Sequence, residues 1–241
     1  MKKYLLIITI LIVGITSQSQ VLITLLLGDK LNSDGLEFGL EGGANWTNIS
    51  GLETKEYARK WHLGFYFDIR IKNQWSLYTG TLVKSNFGVD KLTDNDLKAM
   101  GTSIYTNSLG DDIEGDYSQK INVFMVPALI RYKFKNHIYM EAGPQFSIMY
   151  KSWVEFNADV DGRDATLKEY NKDKINNVDA GIMAGLGYKM FKGTGWAIGA
   201  KYYYGFVDVF KDIPGTNNSS FYIKLEIPIG AGEKPEKKQN K

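Results

Sequence analysis

The sequence contains no cysteine, only five prolines and only two histidines. Without cysteine, the chain forms no disulfide and has no thiolate for metal binding or nucleophilic chemistry. Its 29 basic and 27 acidic residues give a formal net charge of +2, so the overall charge does not indicate a nucleic-acid partner. Beyond the first 20 residues no continuous apolar run is long enough to cross a membrane as a helix.

The first residues have the pattern of an export signal. Met1-Lys2-Lys3 is basic, and an apolar run from Tyr4 to Ile15 follows that is too short for a membrane helix. Small residues in Ser17-Gln18-Ser19 suit a signal peptidase. We predict a signal peptide over residues 1–19 with cleavage before Gln20; an uncleaved anchor is the alternative. The mature chain is therefore exported.

Glycine and tyrosine are abundant, with 25 and 15 residues. Many of them lie in the stretch from Val178 to Phe206, which has an alternating pattern. Apolar residues alternate with small or polar ones at period two in two arms, 178–189 and 196–206. Strands of roughly 9–11 residues with alternating faces are the length that crosses a bilayer. The pattern predicts a membrane hairpin.

The same alternation recurs along the chain. The predicted strands are residues 36–47, 61–72, 75–88, 117–134, 138–150, 178–189, 196–206 and 220–229. Connections after the second, fourth and sixth strands are short turns, whereas the others are long or polar, notably 89–116 and 151–174, which we read as loops. Pro127 lies inside the fourth strand, where it donates no ladder hydrogen bond, so we expect a bulge there.

This arrangement predicts an all-β fold, an eight-stranded antiparallel up-and-down transmembrane β-barrel over residues 36–230. A short periplasmic segment over 20–35 precedes it, and a charged, disordered tail over 231–241 follows it. A soluble lipocalin-like barrel is the alternative, with the apolar face inside. The polar faces combine nearly balanced charges with many glycines and tyrosines, which favours a narrow, polar lumen and an apolar outer face.

The polar faces carry charged residues of both signs that would be expensive to bury unpaired. They are Glu37, Glu41, Asp68, Glu141, Asp179, Glu226, Arg70, Lys84, Arg131, Lys201 and Lys224. From these we select six candidates for ion pairs across the lumen: Glu41, Asp68, Arg70, Arg131, Glu141 and Lys201.

The ordered motifs of the mature chain are similar to those of outer-membrane β-barrel proteins of Bacteroidetes, often grouped as PorT-like or "porin family" proteins. The matching stretches are Leu26-Leu27-Gly28-Asp29-Lys30-Leu31-Asn32, Leu36-Glu37-Phe38-Gly39-Leu40-Glu41-Gly42-Gly43, Val126-Pro127-Ala128-Leu129, Glu141-Ala142-Gly143-Pro144-Gln145, Ala184-Gly185-Leu186-Gly187-Tyr188 and Ala200-Lys201-Tyr202-Tyr203-Tyr204-Gly205. The resemblance implies the barrel and a Gram-negative outer-membrane location, and no activity. The charged end of the chain departs from the aromatic-terminated last strand of many such barrels.

Catalytic and metal chemistry receive little support from the sequence. We expect His62 to be a solvated histidine at the rim, because no serine partner and no Gly-x-Ser-x-Gly motif accompany it. The acidic stretches 111–116 and 159–162 lack the spacing of a calcium loop and suit solvated turns. We therefore expect no enzyme, no cofactor and no metal site.

Two function classes remain open, with a lipid-modifying enzyme as a remote third. One is a structural or surface-interaction barrel whose lumen is closed by side chains, and the other is a small-solute channel. Eight strands leave room inside for side chains only, which favours the first. Expected partners are outer-membrane lipid and lipopolysaccharide, and extracellular or envelope proteins met through loops 89–116 and 151–174. Both termini are expected in the periplasm, with no nucleic acid bound.

Overall fold

The computed structural model describes residues 35–106, 110–160, 162–193 and 195–229. The predicted signal peptide, nearly all of the predicted periplasmic segment and the predicted tail lie outside the described residues.

Nine antiparallel strands form one sheet. They are β1 (Leu36–Ile49), β2 (Ala58–Lys72), β3 (Trp75–Val89), β4 (Asp116–Lys133), β5 (Ile138–Val160), β6 (Arg163–Tyr170), β7 (Val178–Lys189), β8 (Ala197–Asp208) and β9 (Asn217–Pro228). Eight of them close into a ring in the order β4-β3-β2-β1-β9-β8-β7-β5, with β5 returning to β4. The predicted eight-stranded barrel is confirmed, and β6 lies outside the ring, paired only with the far end of β5.

The alternation of residue types sets which side of each strand faces the interior. Met183 and Tyr203 are fully buried, whereas their neighbours Ile182 and Tyr202 are each 46% exposed. The apolar face is therefore the outer one, which excludes the lipocalin-like arrangement. Aromatic residues concentrate on the outside at both ends of the wall, as at Trp75, Tyr132, Tyr188, Trp196, Trp61, Tyr204, Phe206 and Phe221.

Short turns lie at one end of the barrel and long connections at the other. Asn73 and His137 take positive φ values of 52° and 68° in the turns after β2 and β4. A short helix α2 (Met190–Gly193) follows β7. At the other end, α1 (Asp94–Ala99) lies between β3 and β4, and a 3-10 helix (Lys172–Lys174) lies between β6 and β7. No helix among the described residues is long and apolar enough to cross a membrane.

Three local predictions are wrong. Residues 151–174 are not a loop, because β5 continues to Val160 and pairs with β6 from Trp153↔Tyr170 to Val160↔Arg163. The β4–β5 register continues through Pro127, and the shift lies instead between Asn122 and Val123. A register shift lies between Leu82 and Ser85 in β3. The residues after it face the side opposite to the one that simple alternation predicts, so Ser85 faces inward.

Candidate functional site: the barrel lumen and its closure

The half of the lumen nearest the short turns is filled by buried ion pairs centred on Arg131 of β4, which is 2% exposed. Its Nε and Nη2 donate to Glu141 at 2.9 and 2.6 Å. Its Nη1 and Nη2 donate to Glu226 at 3.0 and 2.6 Å, and Nη1 also donates to Asp68 at 3.1 Å. The guanidinium thus joins carboxylates from β2, β5 and β9 across the interior.

Two tyrosine rings enclose this guanidinium. The central carbon of Arg131 lies 4.0 Å from the ring centroids of both Tyr78 and Tyr139, a cation–π geometry on each face. Small residues make room for the rings: a Cβ added at Gly199 would lie 2.7 Å from the Tyr139 hydroxyl. The predicted relation between inward glycines and inward tyrosines therefore has a direct geometric basis here.

Two lysines extend the network toward the middle of the barrel. Lys224 Nζ lies 2.5 Å from Glu141 and 2.7 Å from Glu226. Lys201 pairs with Glu41, which also accepts the Tyr78 hydroxyl. Each of the five charged side chains in these pairs is at most 3% exposed.

The network continues to the mouth at the short turns. Lys133 Nζ donates to Asp68 at 2.7 Å, and Lys189 pairs with Glu37. The Tyr66 hydroxyl also donates to Glu37 at 3.0 Å. Every carboxylate of the network therefore has a cationic partner, as burial of charge requires.

The structure brings five of the six predicted lumen residues into this network. They are Glu41, Asp68, Arg131, Glu141 and Lys201. Arg70 is the exception: it lies two residues beyond Asp68 toward the turn, is exposed to solvent, and takes no part in the network's ion pairs. Arg70 lies an even number of residues from Asp68, so it shares the inward alternation of β2. It lies so near the end of the strand, however, that its side chain is outside the lumen.

Lys224, Glu226, Lys133, Glu37 and Lys189 belong to the network but were not selected from the sequence. The alternation of β9 places Lys224 and Glu226 on the inner face, so a signal for them existed. Parity alone cannot reveal which inward charges meet, since the partners come from strands far apart in the sequence. Lys84, expected inside, instead lies outside, with its Nζ 3.9 Å from the Trp61 ring.

A polar layer lies farther from the short turns. The expectation of a solvated rim position for His62 is wrong, since the residue is 1% exposed inside the barrel. Its Nε2 lies 3.5 Å from Glu41, and its ring meets Tyr222 edge-on at 5.2 Å. Within the described chain neither ring nitrogen has a hydrogen-bond partner. Gln145, Ser147, Asp179 and Asn218 also line this layer and are buried.

The end with long connections is closed by a hydrophobic cap. Leu97 of α1, Ile175 and Val209 are fully buried there, in one cluster with Ile49, Phe87 and Phe210. Asp96 fixes α1 in place, because its carboxylate accepts the backbone N–H groups of Glu53 at 2.7 Å and Thr54 at 3.1 Å. The cap and the ionic network therefore close the lumen at opposite ends.

Residues of both acidic stretches line one groove. A groove beside the β5–β6 hairpin is lined by Glu114, Asp116, Asp159 and Asp164. Among the described residues, no three histidine or carboxylate side chains are arranged so that they could hold a metal ion.

Several solved structures are similar to this chain. Ail of Yersinia pestis, solved with the heparin analogue sucrose octasulfate, is 11% identical with a TM-score of 0.45, over 82% of this chain and 100% of its own. Neisserial surface protein A is 11% identical with a TM-score of 0.42, over 80% and 99%. OprG of Pseudomonas aeruginosa is 11% identical with a TM-score of 0.35, over 82% and 95%. No curated protein matches the sequence.

A protein-family model identifies the family of this chain. The sequence model named "outer membrane protein beta-barrel domain" matches residues 17–211, which is most of the chain. The chain belongs to this outer-membrane β-barrel family.

Proposed function

We propose that this protein is a closed outer-membrane barrel with a structural or surface-interaction role, and that it does not conduct solutes. The observation that carries the proposal is the Arg131 network, which bridges the lumen from β4 to β2, β5 and β9. Eight strands leave an interior only wide enough for side chains. A permeating ion would have to displace a guanidinium held by three carboxylates and two aromatic rings.

The cap supports the same conclusion independently. Its buried apolar residues offer no partner to a hydrated ion, and α1 is tied to the neighbouring connection through Asp96. A solute would therefore need two unrelated rearrangements to cross. The channel alternative requires both closures to open.

Conductance in planar bilayers tests this proposal. Wild-type protein should give no steady open current. An open porin recorded in the same bilayers shows that the assay detects a conducting barrel. Stable ohmic currents from wild type, with a selectivity that shifts on Glu141→Ala, would refute the closed barrel in favour of a small-solute channel.

We further propose that the short turns and both termini face the periplasm, and that the long connections face outward. The alternation of short and long connections at opposite ends supports this orientation. The surface partners would then be lipopolysaccharide and extracellular or envelope proteins, met by residues 89–116 and the β5–β6 hairpin. Protease added to intact cells should cut within these connections; cleavage only after cell lysis would reverse the orientation.

The finer family assignment, to PorT-like proteins of Bacteroidetes, remains part of this proposal and rests on the order of the motifs. We also propose that the protein has no enzymatic activity. Release of fatty acid from lipid A by purified protein, lost on His62→Gln, would contradict it.

A further inference from the structure

The outer surface of the barrel is not uniform at the end with long connections. On the strands from β2 to β6, cationic and aromatic side chains alternate just beyond the apolar wall. We call this set the basic belt; it consists of Arg59, Lys84, Lys120, Lys151, Lys168, Trp61, Trp153 and Tyr170.

Contacts link the belt into one surface. Lys84 Nζ lies 3.9 Å from the Trp61 ring centroid. Lys151 Nζ lies 5.3 Å from Trp153 and 5.4 Å from Tyr170, so one lysine serves both rings. Between the two groups, Asn86 donates to Asn122 at 2.5 Å. Asn122 is in turn the register partner of Lys151.

The register shift opposite Asn122 and Val123 builds this surface. Asn122 pairs with Lys151 but Val123 pairs with Met149, so Tyr150 is the extra residue of β5. Both Tyr150 and Lys151 are exposed as a result. A bulge here therefore places a cation directly beside the last aromatic residue of the apolar wall.

The belt has an excess of positive charge. Within the described chain, the carboxylate that pairs with cations of the belt is Glu155, which pairs with Lys120 and with Lys168 at 3.6 Å. Arg59, Lys84 and Lys151 have no carboxylate partner in the part of the chain that the structure describes. These three cations are thus free to meet an anion.

The other half of the barrel lacks this feature at the same end. Among the described residues, the outward strand positions of β7, β8, β9 and β1 at that end carry no lysine or arginine; they include Val178, Phe206, Phe221 and Trp46, with the polar Asn48 and Ser219 beyond them. The positive surface is therefore directional and does not surround the barrel.

From these observations, and resting on the outward orientation of the long connections proposed above, we propose that the basic belt binds the phosphate groups of a phosphorylated glycolipid in the outer leaflet. Lysine and arginine at an apolar–aqueous boundary attract phosphate, and aromatic residues occupy the same interfacial depth. Lys84 and Lys151 lie on strands separated by β4 alone, so their backbones are roughly 10 Å apart across the sheet, and their long side chains let one headgroup bearing two phosphates contact both.

The exposed apolar surface next to the belt favours a lipid over a soluble anion as the ligand. Immediately below the belt, Phe124 and Tyr150 stack with centroids 4.7 Å apart, and Ile148 is 58% exposed beside them. A lipid bound through its phosphates at the belt would lay its chains on this apolar surface. A free phosphate would make no use of it.

The test uses the full mature chain in nanodiscs of zwitterionic lipid, titrated with diphosphoryl lipid A. Binding should weaken about 10- to 30-fold in Lys84→Gln/Lys151→Gln, at roughly 5-fold per lysine. The matched control, Lys72→Gln/Lys135→Gln, removes two exposed lysines near the short turns and should bind like wild type. The charge-preserving Lys84→Arg/Lys151→Arg variant should retain binding.

Any of three results would overturn the proposal. One is equal binding by the Lys84→Gln/Lys151→Gln variant, provided that its heat-modifiable migration on gels shows a folded barrel. The others are equal binding of dephosphorylated lipid A and full competition by inorganic phosphate at matched phosphate concentration, since either would remove the glycolipid phosphate as the ligand. Bilayer conductance does not depend on the belt, so this proposal and the closed-lumen proposal fail separately.

Discussion

The two arginines near the short turns offer a sharp test of the lumen network. Arg131 and Arg70 both follow the inward parity of their strands, but only Arg131 is buried and paired. Replacing each by methionine removes the same charge and keeps a similar side-chain length. The two variants therefore differ only in what surrounds the side chain.

The size of the effect follows from the contacts of Arg131. Its removal leaves Asp68, Glu141 and Glu226 without their shared guanidinium, and only Lys133 and Lys224 remain to neutralise them. Breaking a buried ion pair by removing one partner costs roughly 3–5 kcal/mol, because a buried charge is left uncompensated. At Arg70, a solvent-exposed site, the change should stay within about 0.5 kcal/mol.

Urea unfolding of the protein in lipid vesicles, followed by heat-modifiable gel migration, measures both values. The free energy of unfolding should fall by roughly 3–5 kcal/mol in Arg131→Met. In Arg70→Met it should change by no more than about 0.5 kcal/mol. Equal, small losses in both would show that the lumen is hydrated enough to screen its charges. That outcome would refute the dry plug and weaken the case against a channel.

Three further perturbations address the wall, the cap and the packing of the lumen. Ile182→Arg places a charge on the lipid-facing wall and should cost roughly 2–4 kcal/mol in the same unfolding assay; assembly like wild type would reverse the assignment of faces. Asp96→Ala removes the acceptor for two backbone N–H groups and should destabilise the cap by about 1–3 kcal/mol, seen as faster proteolysis near α1 with the barrel intact; unchanged proteolysis would contradict the role given to Asp96. Gly199→Val should destabilise the barrel by roughly 1–3 kcal/mol, since the added carbons meet the Tyr139 hydroxyl; a stability equal to that of wild type would show that the ring can move aside. Unboiled wild-type protein should migrate differently from boiled protein, and identical migration together with solubility in detergent-free buffer would refute the membrane barrel.

Much of the fold was predictable because each strand carries its own signal. Alternation at period two, read with the lengths of the connections, determines strand number, facing and the closed ring. The β5–β6 hairpin was missed for a related reason. Once the chain leaves the bilayer, neither face needs to be apolar, and a polar strand such as β6 resembles a loop in sequence.

The candidate site was less predictable, because it depends on position along the strand as well as on facing. Arg70 and Arg131 share the inward parity, and only the end of the barrel separates them. Lys84 was placed on the wrong side because a register shift in β3 changes the parity of the residues that follow it. Such shifts depend on pairing between strands and leave no clear mark in a single sequence.

The pairing of β1 with β9 has a consequence for how this protein is made. The first and last strands of the ring are neighbours, with Gly39 opposite Pro228. The ring therefore cannot close while the chain is still being synthesised or exported, and its final step joins segments far apart in sequence. Contacts of this kind make folding slow, because the loop-closure entropy is lost before the contacts that compensate for it have formed. Until that step, two strand edges stay open, so the protein needs protection from aggregation on its way to the outer membrane.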